Sequence, residues 1–139
     1  SGNPLATAAG LAALSLLDQD AYQRLERAAA RLAAGLQDAF DSAEVSARVP
    51  RVGTLVGIFI APPGTEGPVE APLDYEGARM TDEDGYGRFF HAMIDAGVAL
   101  APGAYEVLFP GLAHTHDIVD HVVTVAYRSA LALARKDVP

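Results

Sequence analysis

The stretch from His114 to His121 brings together His114, His116, Asp117, Asp120 and His121. Imidazoles and carboxylates are the donors of a zinc or other divalent-metal site. The same residues also fit a plainer pattern. Thr115 is placed to cap a helix, with Asp117, Asp120 and His121 on its first turns as a solvated face. A metal centre needs convergent ligands and outer partners to orient them, and neither is legible here, so no metal ligand is predicted. Asp82-Glu83-Asp84 lacks the alternating ligands and distal Glu of a calcium loop and reads as acidic charge at a helix N-terminus. His91 lies beside an aromatic helix face and is expected to be a partly buried packing residue. Glu106 stands out by context, in Ala101-Pro102-Gly103-Ala104-Tyr105-Glu106-Val107-Leu108-Phe109-Pro110. A carboxylate among apolar and turn residues is either exposed by strand alternation or aimed into a site, and the residues alone leave both readings open.

Other chemistries lack their parts. No Gly-x-Ser-x-Gly elbow, phosphate-cradling glycine loop or Gly-x-Gly-x-x-Gly run occurs. There is no cysteine, which excludes disulfides, thiolate metal sites and cysteine nucleophiles. Lys136 is the only lysine, in a charged tail between Arg135 and Asp137. A net charge of −8 argues against nucleic acid and anionic membranes as partners. No apolar run approaches the ~20 residues that span a bilayer, and no leader pattern opens the chain. A cytoplasmic location is expected.

The elements that must position these residues follow from periodicity and punctuation. Asn3-Pro4 is a helix start, and Pro4 to Leu17 is rich in Ala and Leu. This helix is apolar around most of its circumference, so it should be buried on several sides. A second helix is expected from a cap at Asp20, with Gln23 reaching back, and a stripe of Tyr22, Leu25, Ala29, Leu32, Leu36 and Ala39. Residues 45–48 and 52–60 read as strands, and 61–68 as a Pro/Gly loop. Thr81 with Asp82-Glu83-Asp84 opens a helix whose buried face is Tyr86, Phe89, Phe90, Met93 and Ile94. Gly97 ends it in the left-handed conformation. Val98 to Leu100 reads as a short strand and Val107 to Phe109 as extended. Thr115 caps a last helix that buries Val119, Val122, Val123, Ala126, Ala130 and Leu133. The fold class is therefore α+β, a small, mostly antiparallel sheet covered by helices.

Ser1-Gly2-Asn3-Pro4-Leu5-Ala6 followed by an Ala/Leu helix resembles a segment of the class III, fold-type I aminotransferases. A narrower set of residues is similar to the glutamate-1-semialdehyde aminomutase family among them. It comprises Phe89-Phe90-His91-Ala92-Met93, Gly97 to Pro102, Tyr105-Glu106, Phe109 and Leu112-Ala113-His114-Thr115, with Val52 to Gly57 and Asp74-Tyr75 also fitting. Gly103 and Gly111 stand where many members carry Ser.

The resemblance implies the C-terminal domain of a pyridoxal-phosphate enzyme, an isomerase that turns glutamate-1-semialdehyde into 5-aminolevulinate for tetrapyrrole (porphyrin) synthesis. It implies a homodimer acting on a small-molecule substrate, and a substrate-binding role for Glu106 beside an amine. No residue of this chain is expected to be catalytic or to bind the cofactor, since Lys136 lies in the tail. The chain is then expected to be an inactive fragment. Residues 1–40 would be helices linking to a missing large domain and 41–139 the small α+β domain. The first helix, apolar on more faces than a small domain can bury, would find its cover on that large domain or a second subunit. Two rivals remain, another class III aminotransferase and an interaction module without a catalytic parent.

Overall fold

Helix α2 (Gln19–Ser42) is the scaffold, because charge and apolarity alternate along it at the helical period. Its inner face buries Ala28, Ala29, Leu32, Ala33, Leu36, Ala39 and Phe40. The computed structural model describes residues 2–65 and 69–135. In chain order the other elements are α1 (Pro4–Ser15), β1 (Ala47–Arg48), β2 (Arg51–Val52), β3 (Leu55–Val56), β4 (Phe59–Ile60), α3 (Tyr75–Arg79), α4 (Glu83–Asp95) and α5 (His116–Ala134). The largest interface is α2 against α5, and α4 also packs on α5. Gly35 permits the close approach, since a Cβ there would stand 2.4 Å from Val123 Cγ2. Phe40 of α2 and Phe89 of α4 meet with ring centroids 4.9 Å apart. The fold is α+β, with antiparallel strands covered by helices.

The strands form two ladders rather than one sheet. β2 and β3 pair through Arg51↔Val56 and Val52↔Leu55, and β1 pairs with β4 through Ala47↔Ile60 and Arg48↔Phe59. Residues 47–60 are thus a nested hairpin. The single strand expected over 52–60 is broken because Gly53, at φ 58, turns the chain back after Val52. Pro50, which has no N–H to give a ladder, sits where the outer pair passes to the inner one.

Five further expectations need correction. The α2 cap is Asp18, whose carboxylate accepts from the Ala21 amide at 2.8 Å, so Asp20 lies inside the first turn. The α4 cap is Asp82, accepting from Gly85 N at 2.8 Å, while Thr81 turns its hydroxyl back to Ala78 O. Val98 to Leu100 makes no strand pair. Tyr22 and Ile94, placed on buried faces, and His91, expected to be partly buried beside one, are exposed. The largest departure is α1. Asn3 caps it through Leu5 N and Ala6 N, and Pro4 occupies its first turn, yet none of its residues is buried. Short helix α3, capped by Asp74 on Gly77 N, went unread because it sits in a Pro/Gly-rich stretch. No helix among the described residues is long and apolar enough to cross a membrane.

Candidate functional site

Glu106 stands on a turn tied at both ends. Gly97, at φ 86, closes α4 and lets Val98 N reach Met93 O at 2.9 Å. The chain then runs back along α4, and the hydroxyl of Tyr86, one of α4's core residues, donates to Ala101 O at 2.6 Å. Beyond the turn, Leu108 exchanges two backbone hydrogen bonds with Val56 of β3, N to O at 2.8 and 3.2 Å. The extended conformation expected at 107–109 is therefore present as a bridge at Leu108. Between these ties Glu106 N donates to Gly103 O at 3.1 Å, and the Glu106 side chain is exposed. Exposure is common to both readings open from sequence, strand alternation and aim into a site.

The surroundings add constraint. A Cβ on Gly103 would stand 3.1 Å from Glu106 Oε1 and 3.3 Å from its Cγ, so the carboxylate folds back over its own turn in space that a glycine leaves. Tyr105 donates to Glu83 Oε2 at 3.1 Å and meets the Tyr75 ring edge-on, centroids 6.1 Å apart. Burial, and secondarily the negative charge of Glu106, push the Tyr86 phenol up to about 12. Tyr86 thus remains a protonated donor at any physiological pH. Beneath the 107–110 segment lies a groove of about 220 Å³, lined by Leu32, Val98, Leu108, Val119 and Val122, with His114 at its rim.

The histidine–aspartate cluster does not converge. His114 Nδ1 accepts from Gly111 N at 2.8 Å, which folds the ring onto its own loop. Asp120 faces Arg31 of α2 in a two-pronged pair, Nε–Oδ1 and Nη2–Oδ2 both 2.7 Å. The pair holds the Asp120 carboxyl below the usual range and raises the Arg31 guanidinium, in each case chiefly through the side-chain hydrogen bonds. His116, Asp117 and His121 are exposed, and among the described residues no group of three or more His, Asp or Glu could hold a metal ion. Lys136 lies outside the described residues. Sequence reasoning placed Tyr86 in the core and quoted Tyr105 and Gly103 within the family resemblance, but gave none of the three a role at this turn. The available signal was Tyr86 itself: a buried tyrosine needs a partner for its hydroxyl.

No protein-family model matches the chain. Relatives are found by sequence. The chain is 43% identical over 136 residues to the glutamate-1-semialdehyde 2,1-aminomutase of Anaeromyxobacter sp. (strain K), a match that covers 98% of the chain and 30% of that protein. It is 39% identical over 127 residues to the Natranaerobius thermophilus protein of the same name, covering 91% of the chain and 28% of the relative. The chain therefore spans about three-tenths of the length of the curated relatives it matches. Among solved structures it superposes on a transaminase with PLP bound, with a TM-score of 0.69 and 18% identity over 96% of the chain and 29% of that protein. It also superposes on an omega-transaminase from Sphaerobacter thermophilus, with a TM-score of 0.68 and 23% identity over 96% and 28%. The fold is that of a segment of the transaminases.

Proposed function

We propose that this chain is the C-terminal part of a glutamate-1-semialdehyde 2,1-aminomutase, and that Glu106 presents its carboxylate to the substrate. The longer enzyme would move an amino group between adjacent carbons of glutamate-1-semialdehyde to give 5-aminolevulinate, as a cytoplasmic homodimer in tetrapyrrole synthesis. The observation that carries this reading is the 43% identity sustained over 136 residues, nearly the whole chain. Residues 1–40 would lead from the remainder of the enzyme into the small domain of residues 41–139, with α2 serving both the connection and the core.

Pyridoxal phosphate, when bound in such an enzyme, supplies the electron sink for the amine chemistry. The residues described here do not fit it. They include no lysine to hold it covalently, and the chain's sole lysine is Lys136. The cofactor would belong to the part of the enzyme that this chain does not contain. The contribution left to this chain is placement of a negative charge. Glu106 is exposed on a turn tied at both ends, so it can meet an ammonium group without first ordering its own backbone.

The test is kinetic and uses the longer enzyme. Glu106→Gln keeps the shape and removes the charge. A charge-assisted hydrogen bond to an ammonium is worth about 1.5–3 kcal/mol, so kcat/KM for glutamate-1-semialdehyde should fall roughly ten- to a hundredfold. The melting temperature should hardly move, because the side chain is exposed. Turnover of ordinary amine donors with keto acids, and none of glutamate-1-semialdehyde, would replace this reading with another class III aminotransferase. Normal kinetics of Glu106→Gln would remove Glu106 from the site.

A further inference from the structure

An exposed glutamate has several free torsions, and its charge is useful only where the backbone beneath it is fixed. The Ala101–Glu106 turn has no ladder partner of its own. Its downstream tie is backbone, through Leu108 and Val56. Its upstream tie is a side chain. Tyr86 is 3% exposed and part of the hydrophobic core, and its hydroxyl reaches the Ala101 carbonyl at 2.6 Å. A hydrophobic ring at that position would fill the same space without reaching anything. The hydroxyl gives Tyr86 its hydrogen bond to the turn.

We propose that Tyr86 is a positioning residue, whose core-anchored phenol clamps the base of the Ala101–Glu106 turn and thereby sets where the Glu106 carboxylate stands. The proposal rests on the reading that Glu106 meets the substrate. Gly103 completes the arrangement, since the carboxylate folds into space that a side chain there would contest. Tyr86 does not touch the substrate. Its effect passes through one hydrogen bond and one turn.

Two measurements separate the links. In the longer enzyme, kcat and KM are compared for the parent, Tyr86→Phe, Glu106→Gln and the double variant. Tyr86→Phe keeps the ring in the core and should lower kcat/KM about two- to tenfold, the range for one neutral hydrogen bond. That loss should vanish in the Glu106→Gln background. In the present chain, hydrogen–deuterium exchange of the peptide covering residues 102–108 should speed up on Tyr86→Phe, while α2 and α5 exchange unchanged. Unchanged exchange at 102–108 overturns the clamp. Faster exchange with a kinetic loss that persists undiminished in Glu106→Gln, or with no kinetic loss at all, overturns the positioning of Glu106. A silent Glu106→Gln overturns the reading of Glu106 itself and the proposal with it, whatever the exchange data show.

Discussion

Helices α1 and α2 are consecutive, both rich in alanine and leucine, and both opened by a side-chain cap, yet α2 makes the core and α1 buries nothing. Composition would rank them the other way. Pro4 to Leu17 has no charged residue, whereas α2 carries Arg24, Glu26, Arg27, Arg31 and Asp38. The difference lies in arrangement. In α2 the charges occupy one side, so a single apolar face can dock on α5 while the rest stays hydrated. α1 has no polar side to leave in water, and a one-sided dock would still strand leucines. Leu5, Leu11, Leu14 and Leu16 are 65–79% exposed. Burial inside a small domain is thus decided by periodicity. Apolarity without periodicity yields a helix that this domain alone does not cover.

The comparison is broken most directly by truncating one large residue on each helix. Phe40 is wholly buried against Phe89, so Phe40→Ala should cost about 3–5 kcal/mol in urea unfolding, enough to threaten folding of a domain this size. Leu11→Ala removes a side chain that is 70% exposed and should change stability by no more than about 0.5 kcal/mol. A cost above about 1 kcal/mol for Leu11→Ala would mean that α1 is packed in solution and that the contrast is false.

The caps give a smaller and sharper version of the same test. Asp18→Ala removes the carboxylate that holds Ala21 N, and since α2 unfolds only with the domain, about 1 kcal/mol should be lost from global stability. Asn3→Ala removes an equivalent bond to Leu5 N and Ala6 N. Its cost should stay local, as reduced helical circular dichroism with an unchanged urea midpoint, because nothing else depends on α1 being helical. A shared drop in midpoint for both variants would show that the two helices fold as one unit.

Which parts of this were legible in the sequence follows from the range of the forces involved. The four longer helices were readable to within a few positions at their ends, because caps, Gly97 and 3.6-residue periodicity act locally, though the caps of α2 and α4 are Asp18 and Asp82 rather than Asp20 and Thr81. The faces of α5 and most of α2 came out for the same reason. The 52–60 strand did not, since β-propensity cannot show that Gly53 will adopt positive φ and fold the chain on itself. α1 was expected to be buried, because apolarity shows that a helix wants cover and not whether this chain supplies it. At the site, Glu106 was legible through its apolar context and the family resemblance. Tyr86 was placed in the core but its hydroxyl went unassigned, because the partner is a backbone carbonyl fifteen residues on, and no side-chain pattern encodes a carbonyl. The histidine cluster misled through proximity in sequence. His114 bonds to its own loop and Asp120 to Arg31, so neighbours in the chain point to different partners.

The smallest expected effect is electrostatic and again divides the two helices. α1 has no titratable side chain and can add nothing to the pH dependence of stability. α2 is joined to α5 by Arg31–Asp120, where hydrogen bonding to the guanidinium holds the Asp120 carboxyl below its ordinary value. A carboxylate whose folded-state pKa is depressed contributes stability above its unfolded pKa, roughly pH 4, and loses that contribution as pH falls through the lower folded value. The parent chain should therefore be slightly more stable than Asp120→Asn at pH 7, and the two should converge as the pH drops below about 4. Both side chains are exposed, so the gap should be small and should shrink in high salt. Urea midpoints of the two proteins at pH 7 and pH 2.5, each with and without added salt, measure it. A gap that persists at pH 2.5 would mean that Asp120→Asn acts through packing or helix propensity and that the ion pair does not help to join α2 to α5.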